Sequence, residues 1–158
     1  MDALQRLLAI EEIGQLKARY WRCMDTRDWD GLERVFAPDA VFDLREVDSV
    51  RHPLTGEWNP PYSGEEAVHR GHAAVLKMIR DAVTPLVTVH HGHMGEIEIT
   101  SDTTARAIWA MEDLIHSAPG EAKVFMHGFG HYHDTYIRLD HGWAIQTTRI
   151  TRLFLTRS

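Results

Sequence analysis

The sequence predicts an α+β fold, in which about three N-terminal helices close a hydrophobic pocket inside a cone-shaped, strongly curved and mostly antiparallel sheet. Two observations carry this prediction. Apolar residues recur at helical spacing in the first half of the chain, and four long segments of strand character follow, separated by turn signals. The chain has 158 residues, which is enough to bury a core, and we assign residues 1–158 to one domain.

A long amphipathic segment opens the chain. Its apolar residues fall at the spacing of one helix face: Leu4, Leu7, Leu8, Ile13, Leu16, Tyr20 and Met24. They predict a first helix from Leu4 to about Met24. Asp28 is a good N-cap for a second helix from Trp29 to Phe36, which is expected to end before Pro38 because a proline disfavours helix in the residue before it.

Less regular segments follow this helix pair. Residues 40–44 favour a strand, and residues 45–63 carry three prolines with little periodicity. A loop of that length in a compact domain is usually functional, often as a lid. Residues 65–83 predict a third helix, with a core face made of Ala67, Val68, Val75, Leu76 and Ile79.

The second half of the chain favours strands over residues 87–100, 104–116, 123–139 and 143–156. The turn signals between them are Ser101-Asp102, Pro119-Gly120 and Asp140-His141-Gly142. Helices followed by long, hairpin-linked strands are typical of α+β proteins and not of doubly wound sheets.

Composition argues against several classes of protein. A net charge of −6 and a pI of about 6.0 argue against nucleic acid as a partner, because that partner requires a basic face. Cys23 is the only cysteine, so an internal disulfide and a multi-cysteine metal site are excluded. The first residues lack the features of a signal peptide, and no apolar run approaches the roughly 18 residues of a membrane span. We therefore expect a cytoplasmic protein with no membrane partner.

Histidines are the most distinctive residues of this chain. There are 11, and three of them, His90, His91 and His93, precede an alternating segment. Histidine titrates near neutral pH, which suits it to proton transfer or metal binding. Because side chains alternate along a strand, His91 and His93 share one face and His90 takes the other. Gly92 and Gly95 allow a bulge that resets the alternation, so parity leaves open which histidine enters the pocket.

A second group of histidines lies on a later predicted strand. His127, His131 and His133 share one face of the strand predicted over residues 123–139. The pair His131 and His133 resembles half of a cupin metal site, but the glutamate of that pattern is missing. A three-histidine metal site completed by His90 or His93 stays open at this point.

Tyr20 and Asp25 are candidates for the pocket, and each has a simpler explanation. Tyr20 shares the core-facing stripe of the first helix and could be an ordinary core tyrosine. Asp25 could be an ordinary turn residue at the end of that helix. The partial negative charge of a helix C-terminus disfavours an aspartate, which hints at a cationic partner such as a histidine.

Asp113 and Arg152 are candidates from the later strands. Asp113 continues an apolar strand face, where burial raises a carboxyl pKa unless a cation or hydrogen bonds offset it. The alternative is a charge at the end of a strand. Arg152 lies either on the exposed sheet face or in the interior as an anion clamp.

Together these segments resemble the SnoaL-like family of the nuclear-transport-factor-like superfamily, whose members are cone-shaped α+β proteins. The matching segments are residues 10–25, residues 28–32, Val89-His90-His91-Gly92-His93, Trp109-Ala110-Met111-Glu112-Asp113 and Asp140-His141-Gly142-Trp143. They span nearly the whole chain except the 45–63 loop. The pattern is similar to that of bile-acid 7α-dehydratase and, more distantly, to those of scytalone dehydratase and lindane dehydrochlorinase.

This resemblance implies a set of catalytic residues: Tyr20, Asp25, His90, Asp113 and Arg152. His90 would be the general base, held by Asp25. Tyr20 and Asp113 would donate to an oxyanion or a leaving oxygen, and Arg152 would anchor charge or order Asp113. The second histidine and the serine–asparagine pair of scytalone dehydratase have no counterparts here.

The resemblance further implies a cofactor-independent lyase of the dehydratase type, without a metal, that acts on a small hydrophobic cyclic molecule. His93, Trp109 and His131 are expected to contact the substrate. One alternative is an isomerase or polyketide cyclase that uses Asp113 as its acid–base group in the same pocket. The other is a non-catalytic module that binds a small molecule or docks a partner. Assembly as a homo-oligomer, a trimer or a dimer, through the outer sheet face is also implied.

Overall fold

Three α-helices pack against a curved eight-stranded sheet in this computed structural model, which describes residues 1–120 and 125–158. The helices are α1 (Ala3–Thr26), α2 (Trp29–Glu33) and α3 (His72–Val83). The strands are β1 (Phe36–Asp43), β2 (Val50–Arg51), β3 (Trp58–Asn59), β4 (Val68–Arg70), β5 (Leu86–Ile99), β6 (Thr104–Ser117), β7 (Phe125–Leu139) and β8 (Gly142–Arg157). The predicted α+β class is confirmed.

The four long strands form an antiparallel unit in the order β5-β6-β7-β8. Both β1 and β2 pair with β8 in parallel, while β4 pairs with β1 and β3 pairs with β2. The described ends of the long strands agree with the predicted ends to within one residue. The predicted start of the strand that corresponds to β7, at Lys123, lies outside the described residues.

Helix α1 has a defined cap at each end. The side chain of Asp2 accepts the backbone N–H of Gln5, and the side chain of Gln5 accepts the backbone N–H of Asp2, both at 2.8 Å. This reciprocal pair is a capping box, which satisfies two N–H groups that the helix cannot pair internally. At the other end, Arg27 takes a left-handed conformation with φ of 62°.

The buried face of α1 is shorter than predicted. It consists of Ala9, Ile13, Leu16, Lys17, Tyr20, Trp21, Cys23 and Met24. Leu4, Leu7 and Leu8, which the apolar spacing assigns to the same core face, are exposed instead. Helical spacing shows which residues share a face, but not whether another element covers that face.

The second predicted helix ends earlier than expected. Helix α2 stops at Glu33, and Phe36 begins β1, which runs through Pro38. Phe36 pairs with Ile145 of β8. The register then shifts before the next pair, at Val41, and this irregularity accommodates a proline that cannot donate to the sheet.

The third predicted helix begins later than expected, at His72. Residues 65–67 form a 3₁₀ turn, and residues 68–70 form β4, which pairs with β1. Gly71, with φ of 90°, separates this strand from the helix. Ala67 and Val68 therefore lie outside α3, whose buried residues are Val75, Leu76, Ile79 and Val83.

The 45–63 loop contains the short strands β2 and β3, so it is more regular than predicted. Val50 of β2 pairs with Arg152 of β8. The peptide bond between Asn59 and Pro60 is cis. The loop is thus attached to the strand that carries one of the predicted site residues.

Side-chain alternation gives the sheet an inner face, toward the helices, and an outer face. The buried residues of β6 and β7, such as Trp109, Asp113 and Tyr132, lie on the inner face. The pairing of β5 with β6 shifts register between Gly92 and Gly95, as their sequence allows. Among the described helices, none is long and apolar enough to cross a membrane.

Candidate active site

The end of α1 and the start of β5 bring Asp25 and His90 together. Nδ1 of His90 lies 2.6 Å from Oδ1 of Asp25, and the backbone N–H of His90 donates to Oδ2 at 2.8 Å. The hydroxyl of Thr88 donates to Oδ1 at 2.9 Å. Because a carboxylate can only accept, we assign the ring proton of His90 to Nδ1, which leaves Nε2 as its basic nitrogen.

The surroundings of Asp25 keep it ionised. Burial acts to raise the pKa of the Asp25 carboxyl, but the hydrogen bonds and charge of His90 outweigh burial. The hydroxyl of Thr88 acts in the same direction, and the pKa lies below its ordinary value. Asp25 is therefore a carboxylate at neutral pH, where it can stabilise the positive charge that His90 acquires on taking up a proton.

Asp113 and Arg152 form a buried ion pair between β6 and β8. The guanidinium donates to both carboxylate oxygens, at 2.9 and 2.8 Å, and the two side chains are only 3% and 2% exposed. Nε of Arg152 donates to the carbonyl of Val47 at 2.8 Å. An added Cβ on Gly128 would lie 2.4 Å from Oδ1 of Asp113, so the glycine leaves room for this pair.

The sheet register places this ion pair beside the Asp25–His90 pair. His90 and Asp113 are directly opposite each other on β5 and β6, and both lie on the inner face. Side chains at such positions have Cβ atoms about 5 Å apart. The structure therefore brings four of the five predicted catalytic residues to one region of the inner face.

Tyr20, the fifth predicted catalytic residue, packs against this region through Tyr132 of β7. The two rings meet edge-on with centroids 6.0 Å apart. Burial raises the pKa of the Tyr20 hydroxyl well above its ordinary value, and Tyr132 adds to the shift. Burial also raises the pKa of Tyr132, with the charge of Asp113 acting in the same direction. Both tyrosines are hydrogen-bond donors at neutral pH.

A buried ion pair lies against the rings of the two tyrosines. Nζ of Lys17 lies 2.8 Å from Oδ2 of Asp134, and neither side chain is exposed. Nζ does not meet hydrogen-bond geometry with any described group, so the contact is an ion pair without a well-directed hydrogen bond. Burial lowers the pKa of Lys17, while Asp134 acts against that shift. The Lys17 ammonium also lies 3.8 Å from the ring centroid of Tyr132 and 4.6 Å from that of Tyr20.

The three predicted substrate contacts are dispersed. Trp109 lies on the inner face, where its indole N–H donates to the hydroxyl of Tyr136 at 2.9 Å. His93 falls in the β5 bulge and is exposed. His131 lies on the outer face, since it alternates with the buried Tyr132. The structure therefore does not bring His131 to the inner-face site.

The outer face carries a polar cluster of its own. Glu112 accepts from Nε2 of His127 at 2.7 Å and lies 3.5 Å from Nδ1 of His91. His127 holds the pKa of the Glu112 carboxyl below its ordinary value. Within residues 1–120 and 125–158, no group of three or more His, Cys, Asp or Glu side chains is placed to hold a metal ion. The three-histidine site considered from the sequence is thus not assembled there.

Two cavities are not lined by Asp25, His90, Asp113 or Arg152. One, of about 760 Å³, lies on the outer face between the Glu96–Glu98 segment and Arg149. The other, of about 950 Å³, lies between α1 and the turn at His141. Neither is lined by His90, which is 7% exposed.

Several residues of this region were missed by sequence reasoning. Lys17 falls on the buried stripe of α1 between Leu16 and Tyr20, and a lone cation on an apolar stripe was an available signal. Asp134 alternates with the buried Tyr132, so parity could also have placed it inside. Thr88 offered no comparable signal, because its role depends on the approach of α1.

Comparisons with known proteins agree with this fold. A model of the SnoaL-like domain matches residues 5–149. A relative from Gibberella zeae named "Probable cyclase FGR4" is 24% identical over 147 residues, which cover 90% of this chain and 89% of that protein.

Solved structures show the same architecture. A type 2 hexachlorocyclohexane dehydrochlorinase (LinA) superposes with a TM-score of 0.75 at 18% identity, covering 99% of this chain and 93% of the other. A provisionally assigned scytalone dehydratase from Novosphingobium aromaticivorans gives a TM-score of 0.74 at 17% identity, with coverages of 98% and 91%. At these identities the structures establish a shared fold, while the domain match establishes the family. The chain therefore belongs to the SnoaL-like domain family.

Proposed function

We propose that the protein is a cofactor-independent lyase that eliminates water from a small hydrophobic cyclic molecule. The observation that carries this proposal is the 2.6 Å contact between Asp25 and Nδ1 of His90 on the inner face of the sheet. An ionised aspartate that fixes a histidine in one tautomer is the arrangement of a general base. The dehydratase and dehydrochlorinase names of proteins with the same fold support an elimination.

The proposed reaction begins at Nε2 of His90. This nitrogen removes a proton from a carbon made acidic by a neighbouring carbonyl or double bond. The electron pair of the broken C–H bond forms a new carbon–carbon double bond as hydroxide leaves the adjacent carbon. The proton then passes from His90 to the hydroxide, so water departs and His90 returns to its neutral form. Asp25 stabilises the imidazolium between these two transfers.

The tyrosines supply the proposed electrophilic assistance. Tyr20 and Tyr132 are buried and keep their protons at neutral pH. Either hydroxyl can donate to the oxyanion that develops when the carbon acid is deprotonated, and such donors are strongest where water is excluded. Both oxygens of Asp113 accept from Arg152, which supports the role of Arg152 in ordering Asp113.

Substrate entry requires a movement, because the candidate residues are buried. The turn at residues 45–49 lies over β8: Val47 accepts from Arg152, and Glu46 pairs with Arg149 at 2.6 Å. This turn belongs to the loop whose length predicts a lid. We propose that its displacement admits the substrate.

The proposal is tested by turnover assays on a panel of cyclic β-hydroxycarbonyl compounds. The test variant is His90→Ala, and the matched control is His91→Ala, which removes the neighbouring histidine from the opposite face. Loss of a general base typically costs a factor of about 100 to 10,000. We expect that loss for His90→Ala and activity within about threefold of wild type for His91→Ala. Equal activity of the two variants would contradict the proposal.

Cyclase or isomerase chemistry in the same site is the second candidate. The named cyclase relative from Gibberella zeae favours it. The bidentate pair with Arg152 argues against Asp113 as the base, so His90 would begin this reaction too. Mass spectrometry separates the candidates, since elimination lowers the product mass by one water and isomerisation conserves it. Tight binding without any turnover would instead favour a binding module.

We also propose that copies of the chain associate through the outer face. The outer face exposes apolar side chains of Val87, Val89, Ile108 and Phe154. The ring of Phe154 packs against Phe129, with centroids 6.4 Å apart. Sedimentation is expected to show a dimer or trimer for the wild type. Phe154→Ser is expected to associate more weakly, so that its oligomer already dissociates at protein concentrations at which the wild-type oligomer is intact. A monomeric wild-type protein would contradict this assembly.

A further inference from the structure

Arg27 has an unusual backbone conformation for its residue type. It lies just after α1 with φ of 62° and ψ of 27°, and it is the only described non-glycine residue with a positive φ. Glycine is the usual residue at this position of a helix end, because a side chain makes the left-handed conformation unfavourable. Such a departure is a reason to look for a role of the side chain.

The Arg27 side chain joins three elements around the active site. One terminal nitrogen donates to the carbonyls of Met24 and Asp25, at 3.1 and 2.7 Å, and the other donates to the carbonyl of Val83 at 2.8 Å and to that of Leu86. These carbonyls belong to the end of α1, the end of α3 and the start of β5. One cation therefore satisfies acceptors at two helix C-termini, where positive charge is favourable.

Arg27 also donates to a hydroxyl that contacts the Asp25–His90 pair. Its Nη1 lies 3.1 Å from Oγ1 of Thr88, and that hydroxyl lies 2.9 Å from Oδ1 of Asp25. Because a guanidinium can only donate and a carboxylate can only accept, the single proton of Oγ1 is directed to Asp25. The hydrogen bonds from Arg27 to Thr88 and from Thr88 to Asp25 thus run in one direction. Asp25 then accepts from Thr88 and twice from His90.

We propose that Arg27 and Thr88 are positioning residues that fix the orientation of Asp25 and thereby the tautomer of His90. The inference rests on the proposed role of His90 as the base. Neither residue needs to touch the substrate. Arg27 holds the end of α1 against β5, and Thr88 completes the set of donors around the Asp25 carboxylate.

Two pairs of variants test this inference. Arg27→Gly removes the side chain while relieving the backbone strain, and Arg27→Lys keeps the charge without the forked donors. Thr88→Val keeps the shape and removes the hydroxyl, whereas Thr88→Ser keeps the hydroxyl. Thr135→Val is a matched control, because the Thr135 hydroxyl bonds to that of Thr147, at 2.7 Å, on the outer face and away from Asp25.

The variants are expected to change kcat and the tautomer of the His90 ring. A small displacement of a catalytic group can cost about 100-fold in rate. We expect kcat to fall by roughly 100-fold in Arg27→Gly and roughly tenfold in Thr88→Val, with KM changed by less than about twofold. Arg27→Lys is expected to recover part of the loss, and Thr88→Ser most of it. Thr135→Val is expected to match wild type.

The second readout is the ¹⁵N NMR spectrum of the His90 imidazole, which reports the ring tautomer without any substrate. Wild type is expected to carry the proton on Nδ1, and the two disruptive variants to show a mixture of tautomers. Because Thr88→Val preserves side-chain shape, it keeps the test valid even if Arg27→Gly does not fold. A wild-type tautomer together with wild-type kcat in Thr88→Val would overturn the inference. If the variants show a tautomer mixture but the wild type turns over no substrate, the positioning role would be supported and the proposed lyase activity rejected.

Discussion

Replacing Lys17 by methionine is expected to destabilise the protein strongly, because Lys17 is the cation of a buried ion pair with Asp134. The variant leaves Asp134 buried without its cation, and removing one partner of a buried ion pair typically costs about 3–5 kcal/mol. Asp134 still accepts from Tyr136 at 2.7 Å and from Thr148 at 2.5 Å. We therefore expect a loss near the lower end, about 3 kcal/mol.

Urea denaturation of Lys17→Met measures this loss as a change in the free energy of unfolding. The matched control is Lys77→Met, which breaks the exposed pair of Lys77 with Asp81 on α3. That control is expected to change stability by no more than about 0.5 kcal/mol. The double variant Lys17→Met, Asp134→Asn removes both charges, so it is expected to regain much of the loss. A Lys17→Met loss no larger than that of the control would refute this account of the buried pair.

Further predictions concern packing and pH. Gly92→Ala is expected to destabilise the protein by about 1–3 kcal/mol, because its Cβ would lie 1.8 Å from the ring of Trp21. Gly14→Ala is expected to stabilise the protein by about 0.5–1 kcal/mol, since glycine is unfavourable inside a helix and nothing lies within 4 Å of the added Cβ. Denaturation that shifts the free energy of unfolding in the same direction for both variants would contradict this. The folded-state pKa of Asp25 lies below its ordinary value of 3.8. The stabilisation that its ionisation gives the fold is therefore complete above pH 3.8 and is lost as the pH falls through the folded-state pKa. The difference in unfolding free energy between wild type and Asp25→Asn is expected to shrink in acid. A difference that grows below pH 3.8 would show that folding raises the pKa of Asp25.

Much of the fold follows from local patterns, because hydrophobic spacing reports element type directly. The long strands were predicted closely, since alternation and turn residues are local signals. The helix boundaries at Phe36 and Glu65 were wrong because pairing with distant strands decides them: Phe36 pairs with β8, and Val68 of β4 pairs with Asp43 of β1. A local pattern contains no information about such partners.

The candidate site, like the fold, could be predicted only in part. The family resemblance selected Asp25 and His90, and the 2.6 Å contact between them supports that choice. The spacing of the histidines alone could not separate His90 from His91, because alternation places them on opposite faces without showing which face is the inner one. The bulge between Gly92 and Gly95 also resets the alternation before His93 can be compared with them. The placement of His131 on the outer face follows from the burial of Tyr132 beside it. Arg27 and Thr88 could not be recognised from the sequence, since their partners come from three separate elements.

Asp25 is proposed to hold His90 as a general base, and the kcat/KM of Asp25→Asn measures whether it does. Asparagine has the same shape but can present its amide N–H₂ to Nδ1, which favours the wrong histidine tautomer. Asp28→Asn, at the N-cap of α2, is the matched control, because asparagine also caps helices well. We predict that kcat/KM falls by about 100- to 10,000-fold in Asp25→Asn and stays within about threefold of wild type in Asp28→Asn. A folded Asp25→Asn protein that retains wild-type kcat/KM would show that Asp25 does not hold His90 as the base.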